Sequence, residues 1–179
     1  MLQFLQFASL LVNWKGKRTD AKFTQALDLT MYSVNDNNRK MFSALYSAVY
    51  KCNKLIDGLK DSPVEDAFKV EIEAEARLLR GILYFTLVRL YGDVPLVLTP
   101  AKSVADASVP RMHYTEVYRQ ILDDLSYAEA NMRDNERQMA VSGTSGRPHK
   151  WAATSVKVAV YVQIACLLEN KAMQWFDLA

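Results

Sequence analysis

The sequence contains few of the residues on which catalytic and metal-binding sites depend. Two cysteines and two histidines occur among 179 residues, and their spacing does not match that of zinc ligands. The histidines, His113 and His149, fall in separate loop-like segments, so no Ser-His-Asp or Cys-His arrangement can be built from them. We therefore expect a protein that is not an enzyme and that holds neither a metal ion nor a cofactor.

The sequence also lacks a strong excess of either charge. It has 22 lysines and arginines against 20 aspartates and glutamates, a formal net charge of +2. The densest basic group, Lys15, Lys17 and Arg18, is interpreted as a solvated loop, and without a basic run we expect no binding to nucleic acid. Half of the residues are hydrophobic, which at this length is sufficient for a domain with a core.

The first residues of the sequence are also not expected to form a membrane-spanning or secretory segment. Residues 1–12 (MLQFLQFASLLV) are apolar, but they are too few to span a bilayer and lack the basic start and cleavage site of a signal peptide. We predict that they form a core helix or strand, and no cysteine follows them at the position of a lipid anchor. Cys52 and Cys166 lie in apolar helical surroundings, where buried thiols are favoured over a disulfide between them.

Apolar residues spaced three and four apart predict helices through most of the chain. The first predicted helix spans 36–60. The second spans 63–91, because Ser62, Pro63 and Glu65 follow the pattern of a capping box. Gly92 then ends this helix, and Pro95 prevents it from resuming.

The remainder of the chain is predicted as an extended arm followed by two more helices. The arm covers 94–98, and the helices cover 115–135 and 150–169, with Asn170 as a break before another helix begins. Pairing 36–60 with 63–91 and the third helix with the fourth gives hairpins of the size of tetratricopeptide units. The predicted fold is therefore all-α and tetratricopeptide-like, with a short extended arm after Gly92.

The second predicted helix carries several arginines among large apolar side chains. Arg77 and Arg80 lie three residues apart, so they share a face or flank the apolar stripe, and Glu73 lies one turn before Arg77. We expect at least one of these arginines to point between helices and to pair with a carboxylate. The best candidate is Asp124, and removal of one partner of such a buried pair costs roughly 3–5 kcal/mol.

Four segments carry a longer pattern in a fixed order. They are Tyr46-x-x-Val49-Tyr50-x-x-Asn53, then Glu75-Ala76-Arg77-x-x-Arg80-Gly81 running through Tyr91-Gly92 to Val94-Pro95-Leu96, then Arg111 with Val117-Tyr118, Ile121 and Asp124-Leu125, and finally Gly146-Arg147 with Ala152-Ala153. Together they cover most of the chain and resemble the SusD/RagB family, the nutrient-capturing surface lipoproteins of Bacteroidetes.

The resemblance implies a function that composition alone does not indicate. Members of this family are outward-facing outer-membrane lipoproteins that bind glycans, or sometimes peptides, and pass them to a SusC-like TonB-dependent transporter. They are longer than this chain, so the resemblance implies that 1–179 is a single helical-repeat domain, incomplete at both ends. Membrane contact would then occur only through a lipid anchor absent from this chain, and the segment would serve mainly as scaffold.

We expect different roles for the residues that these patterns single out. Structural roles are expected for Arg77, Arg80, Gly92, Pro95, Asp124 and Arg147. Trp14 lies in a loop-like segment where family members often place ligand-binding loops, so it is the candidate for stacking on a sugar. Trp151 and Trp175 are expected to pack between helices. The alternative function is a helical-repeat adaptor that binds a protein or peptide partner in its groove.

Overall fold

The computed structural model describes the backbone of residues 36–100, 109–134 and 147–176, and the side chains of these residues except 36–37 and 170–176. The chain divides into two compact units, 1–45 and 46–179. The described part of the first unit is the beginning of one helix. The apolar segment 1–12 lies outside the described residues, and the prediction of a single domain over 1–179 stays a prediction.

The described residues form four α-helices and one short two-stranded ladder. In chain order the elements are α1 (Asp36–Lys60), α2 (Asp66–Tyr91), β1 (Val94–Pro95), β2 (Arg111–Met112), α3 (Tyr114–Asn131) and α4 (Lys150–Phe176). The prediction of an all-α fold with a short extended arm after Gly92 is confirmed, and α1 has the predicted bounds.

The predicted start of α2 was wrong by three residues. The helix begins at Asp66 with Glu65 as its N-cap, and no side chain caps it. The backbone amide of Ser62 instead donates to the carbonyl oxygen of Leu59 at 3.3 Å. Ser62 thus belongs to the turn that follows α1 and lies three residues before the N-cap position at Glu65, so it does not cap α2 although its sequence context has the pattern of a capping box.

The ends of α3 and α4 also differ from the prediction. At the end of α3, Met132 has extended backbone angles and its amide bonds to the oxygen of Ala128, so the helix ends four residues before the predicted end. Helix α4 continues through Asn170 to Phe176, because one asparagine costs only about 0.7 kcal/mol relative to alanine inside a helix.

The core of the second unit lies along α2. The most extensive helix packing joins α2 to α3, and α3 also packs against α4. A glycine permits the close approach of α2 and α3, since a Cβ atom on Gly81 would lie 3.2 Å from Cδ2 of Leu125. The largest fully buried apolar side chains are Tyr84, Leu78, Leu87, Ile121, Leu125, Val49, Val94, Val117 and Val160.

The arm after α2 is joined to the segment before α3 by the two-stranded ladder. Val94 pairs with Met112 and Pro95 with Arg111, in antiparallel register. The side chain of Asp93 accepts a hydrogen bond of 2.8 Å from the backbone amide of Tyr114. The start of α3 is thus fixed beside the end of α2.

Candidate functional site

A buried arginine–aspartate pair joins α2 to α3. Nε of Arg80 donates to one carboxylate oxygen of Asp124 and Nη2 donates to the other, each at 2.7 Å. The side chain of Asp124 is fully buried and that of Arg80 is 5 % exposed. At least one of Arg77 and Arg80 was expected to pair with Asp124, and Arg80 makes this pair in bidentate form.

The same arginine reaches two further elements. Nη1 of Arg80 donates to Oδ1 of Asn53 at 2.8 Å and lies 3.4 Å from the carbonyl oxygen of Leu98. Burial acts to lower the pKa of Arg80, but the hydrogen bonds and negative charge of Asp124 outweigh it and raise the pKa above its usual value. The guanidinium therefore stays charged and links α1, α2, α3 and the arm.

The arm is held by side chains that bind its main-chain atoms. The hydroxyl of Tyr46 donates to the carbonyl of Pro95 at 2.6 Å, and Nδ2 of Asn53 donates to the carbonyl of Val97 at 2.8 Å. The hydroxyl of Tyr84 also donates to the carbonyl of Val97, at 2.9 Å, and accepts a hydrogen bond of 2.7 Å from the backbone amide of Val97. We refer to Tyr46, Asn53, Arg80 and Tyr84 as the arm clamp.

Burial controls the ionisation of the two clamp tyrosines. Removal from water raises the pKa of Tyr84 to about 12, against the lowering effects of its hydrogen bond to Val97 and of the Arg80 charge. The pKa of Tyr46 is also raised, by burial first and by the proximity of Tyr84 second. The rings meet edge to face, with centroids 6.5 Å apart. Both hydroxyls therefore remain protonated donors at neutral pH.

Arg77 lies at the edge of the buried pair. Its guanidinium contacts Glu73 at 2.6 Å, lies 3.9 Å from Asp124, and stacks over the ring of Tyr127 with 4.0 Å between its central carbon and the ring centroid. Arg77 thus makes the helical pair with Glu73 that the sequence predicted. It also connects the buried Arg80–Asp124 pair to charged side chains that are partly exposed.

An open cleft of about 390 Å³ lies in front of Arg77 and Arg80. It is lined by Ile56, Leu59, Lys60, Lys69, Glu73, Arg77, Arg80, Leu98 and Gln120. Each of its four cations contacts a carboxylate: Asp57 for Lys60, Asp66 for Lys69, Glu73 for Arg77 and Asp124 for Arg80. The charges in the cleft are therefore balanced internally, as in a structural network.

Gly92 and Pro95 lie where the chain leaves α2. Gly92 has φ of 69° and ψ of −121°, and its amide donates to the oxygen of Val88. This backbone conformation is open to glycine and disfavoured for other residues. Pro95 occupies β1, where its carbonyl is one of the groups held by the arm clamp.

Two carboxylates on α2 hold the segments on either side of the gap between α3 and α4. Glu75 contacts Arg147 at 2.8 Å, and Glu71, one turn earlier, contacts Arg133 at 2.6 Å. The hydrogen bond from Arg147 to Glu75 raises the pKa of this arginine. The backbone amide of Lys150 also donates to the oxygen of Arg133. Arg147 is therefore placed against α2 by a pair whose acidic partner the sequence analysis did not identify.

The aromatic candidates are not brought together in the described part of the chain. Trp14 lies outside the described residues, as does the side chain of Trp175. Trp151 is 53 % exposed and lies away from the buried face of α4, which Ala153 and Val160 form, so the expectation that it packs between helices stays a prediction. Its ring lies 5.1 Å from Nζ of Lys150.

The histidines have separate, local positions. His113 is the N-cap of α3 and its Nδ1 accepts from the amide of Thr115, whereas His149 lies just before α4. Among the described residues there is no group of three or more His, Cys, Asp and Glu side chains that could hold a metal ion.

Sequence reasoning missed three members of the arm clamp. Tyr46 and Asn53 lie seven residues apart, two turns along one face of α1, and Tyr84 lies one turn after Arg80. A polar side chain at a position of the apolar stripe is the signal that could have found them, because a buried polar group requires a partner.

Comparison with known proteins places these features in a family. Residues 6–162 match the SusD-like family model described as starch-binding and associating with the outer membrane. A SusD-like protein of Bacteroides ovatus is 28 % identical over 143 residues, which cover 78 % of this chain and 25 % of that protein. SusD-like protein P2 of Formosa agariphila is 32 % identical over 103 residues, 55 % of this chain and 19 % of that protein. The chain thus spans about a quarter or less of the curated relatives it matches.

Solved structures show the same fold. A laminarin-binding SusD-like protein superposes with a TM-score of 0.70 at 24 % identity, covering 82 % of this chain and 31 % of that structure. A structure with a xylogluco-oligosaccharide also gives 0.70, at 27 % identity, over 80 % of this chain and 27 % of that structure. The tetratricopeptide-like fold is therefore confirmed, and the match over 6–162 shows that this chain belongs to the SusD-like family.

Proposed function

We propose that this chain is part of a non-enzymatic, glycan-binding protein of an outer-membrane nutrient-uptake system. The family match over most of the chain carries this proposal. Two similar structures support a glycan ligand, since one is described as laminarin-binding and the other contains a xylogluco-oligosaccharide. On this proposal the whole protein faces outward at the outer membrane, held by a lipid anchor, and delivers oligosaccharide to a SusC-like TonB-dependent transporter.

Within that protein, the described residues act mainly as scaffold. The observation that supports this role is the internal use of the charged and polar groups around Arg80. Its guanidinium binds Asp124, Asn53 and the arm, and the cations of the adjacent cleft contact carboxylates of the chain itself. A network of this kind positions helices and the arm rather than receiving a ligand.

The proposed ligand contact remains Trp14, whose indole would stack on the apolar face of a sugar ring. The test is affinity gel electrophoresis of the protein expressed from its complete gene, in gels that contain laminarin, xyloglucan, starch or no polysaccharide. Retardation in at least one polysaccharide gel is expected. Retardation in none of a broad panel of glycans would refute the proposed function.

Two substitutions separate the ligand contact from the function. Trp14→Ala should abolish retardation or reduce it several-fold, since loss of an aromatic stacking contact costs about 0.5–1.5 kcal/mol or more beyond lost burial. Trp14→Phe is the matched control and should retain most of the binding because the aromatic face remains. If Trp14→Ala binds like the unsubstituted protein, the ligand contact lies elsewhere while glycan binding itself stands.

A further inference from the structure

The outer face of α1 carries two lysines whose charges are left unpaired by the described residues. Within 46–60 this face is formed by five exposed residues at helical spacing: Ser47, Tyr50, Lys51, Lys54 and Gly58. Lys51 and Lys54 contact no carboxylate of the described chain. By contrast, four other lysines each contact one: Lys60, Lys69, Lys150 and Lys157. The outer face of α1 therefore differs in charge from the rest of the described surface.

The part of α1 that forms this face is positively charged overall. Residues 46–60 contain three lysines and one aspartate, a formal net charge of +2. The aspartate is Asp57, which contacts Lys60 at 2.8 Å. The positive charge of Lys51 and Lys54 is thus not neutralised by the helix itself, and it favours the approach of an anionic partner.

The opposite side of the helix fixes the direction in which the lysines point. Val49, Cys52 and Asn53 are buried. The amide group of Asn53 donates to the carbonyl of Val97 and accepts from Arg80, each at 2.8 Å, so α1 cannot turn about its axis without breaking the arm clamp. The lysines are therefore presented outward on a rigid element, and less entropy is lost when a ligand binds to them.

An exposed aromatic ring among the lysines indicates the kind of anion that this face fits. Tyr50 is 46 % exposed and lies one helical turn before Lys54, so their side chains are neighbours. A phenol ring can stack on the apolar face of a sugar while an adjacent ammonium group pairs with a carboxylate or sulfate on the same saccharide. Serine and glycine on the same face leave room for an extended chain.

Two other anionic partners fit this face less well. Basic sites for anionic lipids usually contain four to eight lysines or arginines, whereas this face within 46–60 contains two. Protein–protein interfaces are depleted of lysine relative to the rest of the surface. An acidic glycan requires only a few cations beside an aromatic ring, which is the arrangement of Tyr50, Lys51 and Lys54.

We propose that the outer face of α1 binds acidic glycans, whose negative groups are uronate carboxylates or sulfate esters. The inference rests on the proposed glycan-binding function and narrows its ligand class at a surface separate from Trp14. Both lysines are exposed, so each contact with an anion is weak and sensitive to salt. Together the two lysines should change the affinity by a factor of about 2–30.

Fluorescence anisotropy with labelled oligosaccharides tests the proposal on the protein expressed from its complete gene. The probes are oligogalacturonate, a κ-carrageenan oligosaccharide and neutral laminarin oligosaccharide, in 0.15 M salt. The Lys51→Gln, Lys54→Gln double variant should raise the Kd for at least one acidic probe about 2–30-fold. The matched control is Lys60→Gln, Lys69→Gln, which removes the same charge from paired lysines and should leave this Kd unchanged.

Substitutions of Tyr50 test the stacking contact in the same assay. Tyr50→Ala should weaken binding of the acidic probe several-fold, whereas Tyr50→Phe should retain it because the ring face remains. Equal melting temperatures of the variants would show that a loss of binding does not come from unfolding.

Several results would overturn the proposal. Equal weakening by the two double variants would show a general attraction of charge without a site at α1. Binding of laminarin but of neither acidic probe would reject the acidic ligand and leave the proposed function standing, whereas binding of no glycan at all would refute the proposed function. Binding to phosphatidylethanolamine–phosphatidylglycerol vesicles that requires Lys51 and Lys54, without binding of acidic glycan, would assign the face to a membrane.

Discussion

Replacement of Asp124 by alanine tests the network that joins the helices. The substitution removes both 2.7 Å hydrogen bonds of Arg80 and leaves this charge buried with Asn53 and the carbonyl of Leu98 as neutral acceptors. A hydrogen bond to a charged group contributes about 1.5–3 kcal/mol, and breaking a buried ion pair from one side costs about 3–5 kcal/mol. Asp124→Ala should therefore lower the free energy of unfolding in urea by about 3–5 kcal/mol.

An exposed pair on the same helix supplies the matched control. Glu116 contacts Arg119 at 2.6 Å, but their side chains are 42 % and 70 % exposed, so Glu116→Ala should cost no more than about 1 kcal/mol. The Arg80→Met, Asp124→Ala double variant should lose less than the sum of the single losses, by about 2 kcal/mol. The reasoning fails if Asp124→Ala costs as little as the control, or if the two single losses add.

Three further predictions concern single positions in the described chain. Burial raises the pKa of Tyr84 to about 12, whereas a tyrosine in the unfolded chain has a pKa of about 10. The protonated hydroxyl therefore stabilises the fold fully below about pH 10, and this stabilisation is lost as the pH rises toward about 12. Tyr84→Phe should make the free energy of unfolding, measured in urea, fall less steeply above about pH 10. Gly92→Ala should lower the free energy of unfolding in urea by about 1–3 kcal/mol, because φ at this position is positive. Gly58→Ala is the control: it has open space inside α1 and should raise the free energy of unfolding by about 0.5–1 kcal/mol. Equal effects of the two substitutions would contradict the backbone argument. Gly81→Ala should cost about 1 kcal/mol net, because overpacking against the fully buried Leu125 (about 1–3 kcal/mol) exceeds the gain of about 0.5–1 kcal/mol from replacing a helical glycine. Calorimetry that shows no decrease in melting temperature would refute it.

The sequence was sufficient to predict which segments form helices. Long stripes of apolar residues at helical spacing identify α1, α2 and α3, since this spacing is a property of the segment itself. The end of α2 was predictable for the same reason, because Gly92 supplies a backbone conformation that other residues avoid. The start of α2 was not, because the turn after α1 continues to Glu65 before α2 begins, and the length of such a turn depends on how the two helices are placed.

Part of the candidate site could be predicted as well. A charged residue among large apolar side chains requires a buried partner, and that argument predicted a pair between Asp124 and at least one of Arg77 and Arg80. The arm clamp could not be derived in this way. Tyr46, Asn53 and Tyr84 bind main-chain groups of the arm, and any segment of the chain offers the same carbonyls and amides. Only the three-dimensional course of the arm shows which groups they reach.

This mode of binding has a consequence for how the arm tolerates change. The clamp binds the carbonyls of Pro95, Val97 and Leu98 and the amide of Val97, and every residue except proline carries both groups. The side chains at 96–98 can therefore be exchanged while the hydrogen bonds persist, whereas one inserted or deleted residue would shift every carbonyl out of register. The number of residues in the arm therefore determines its path, whereas its side chains can vary.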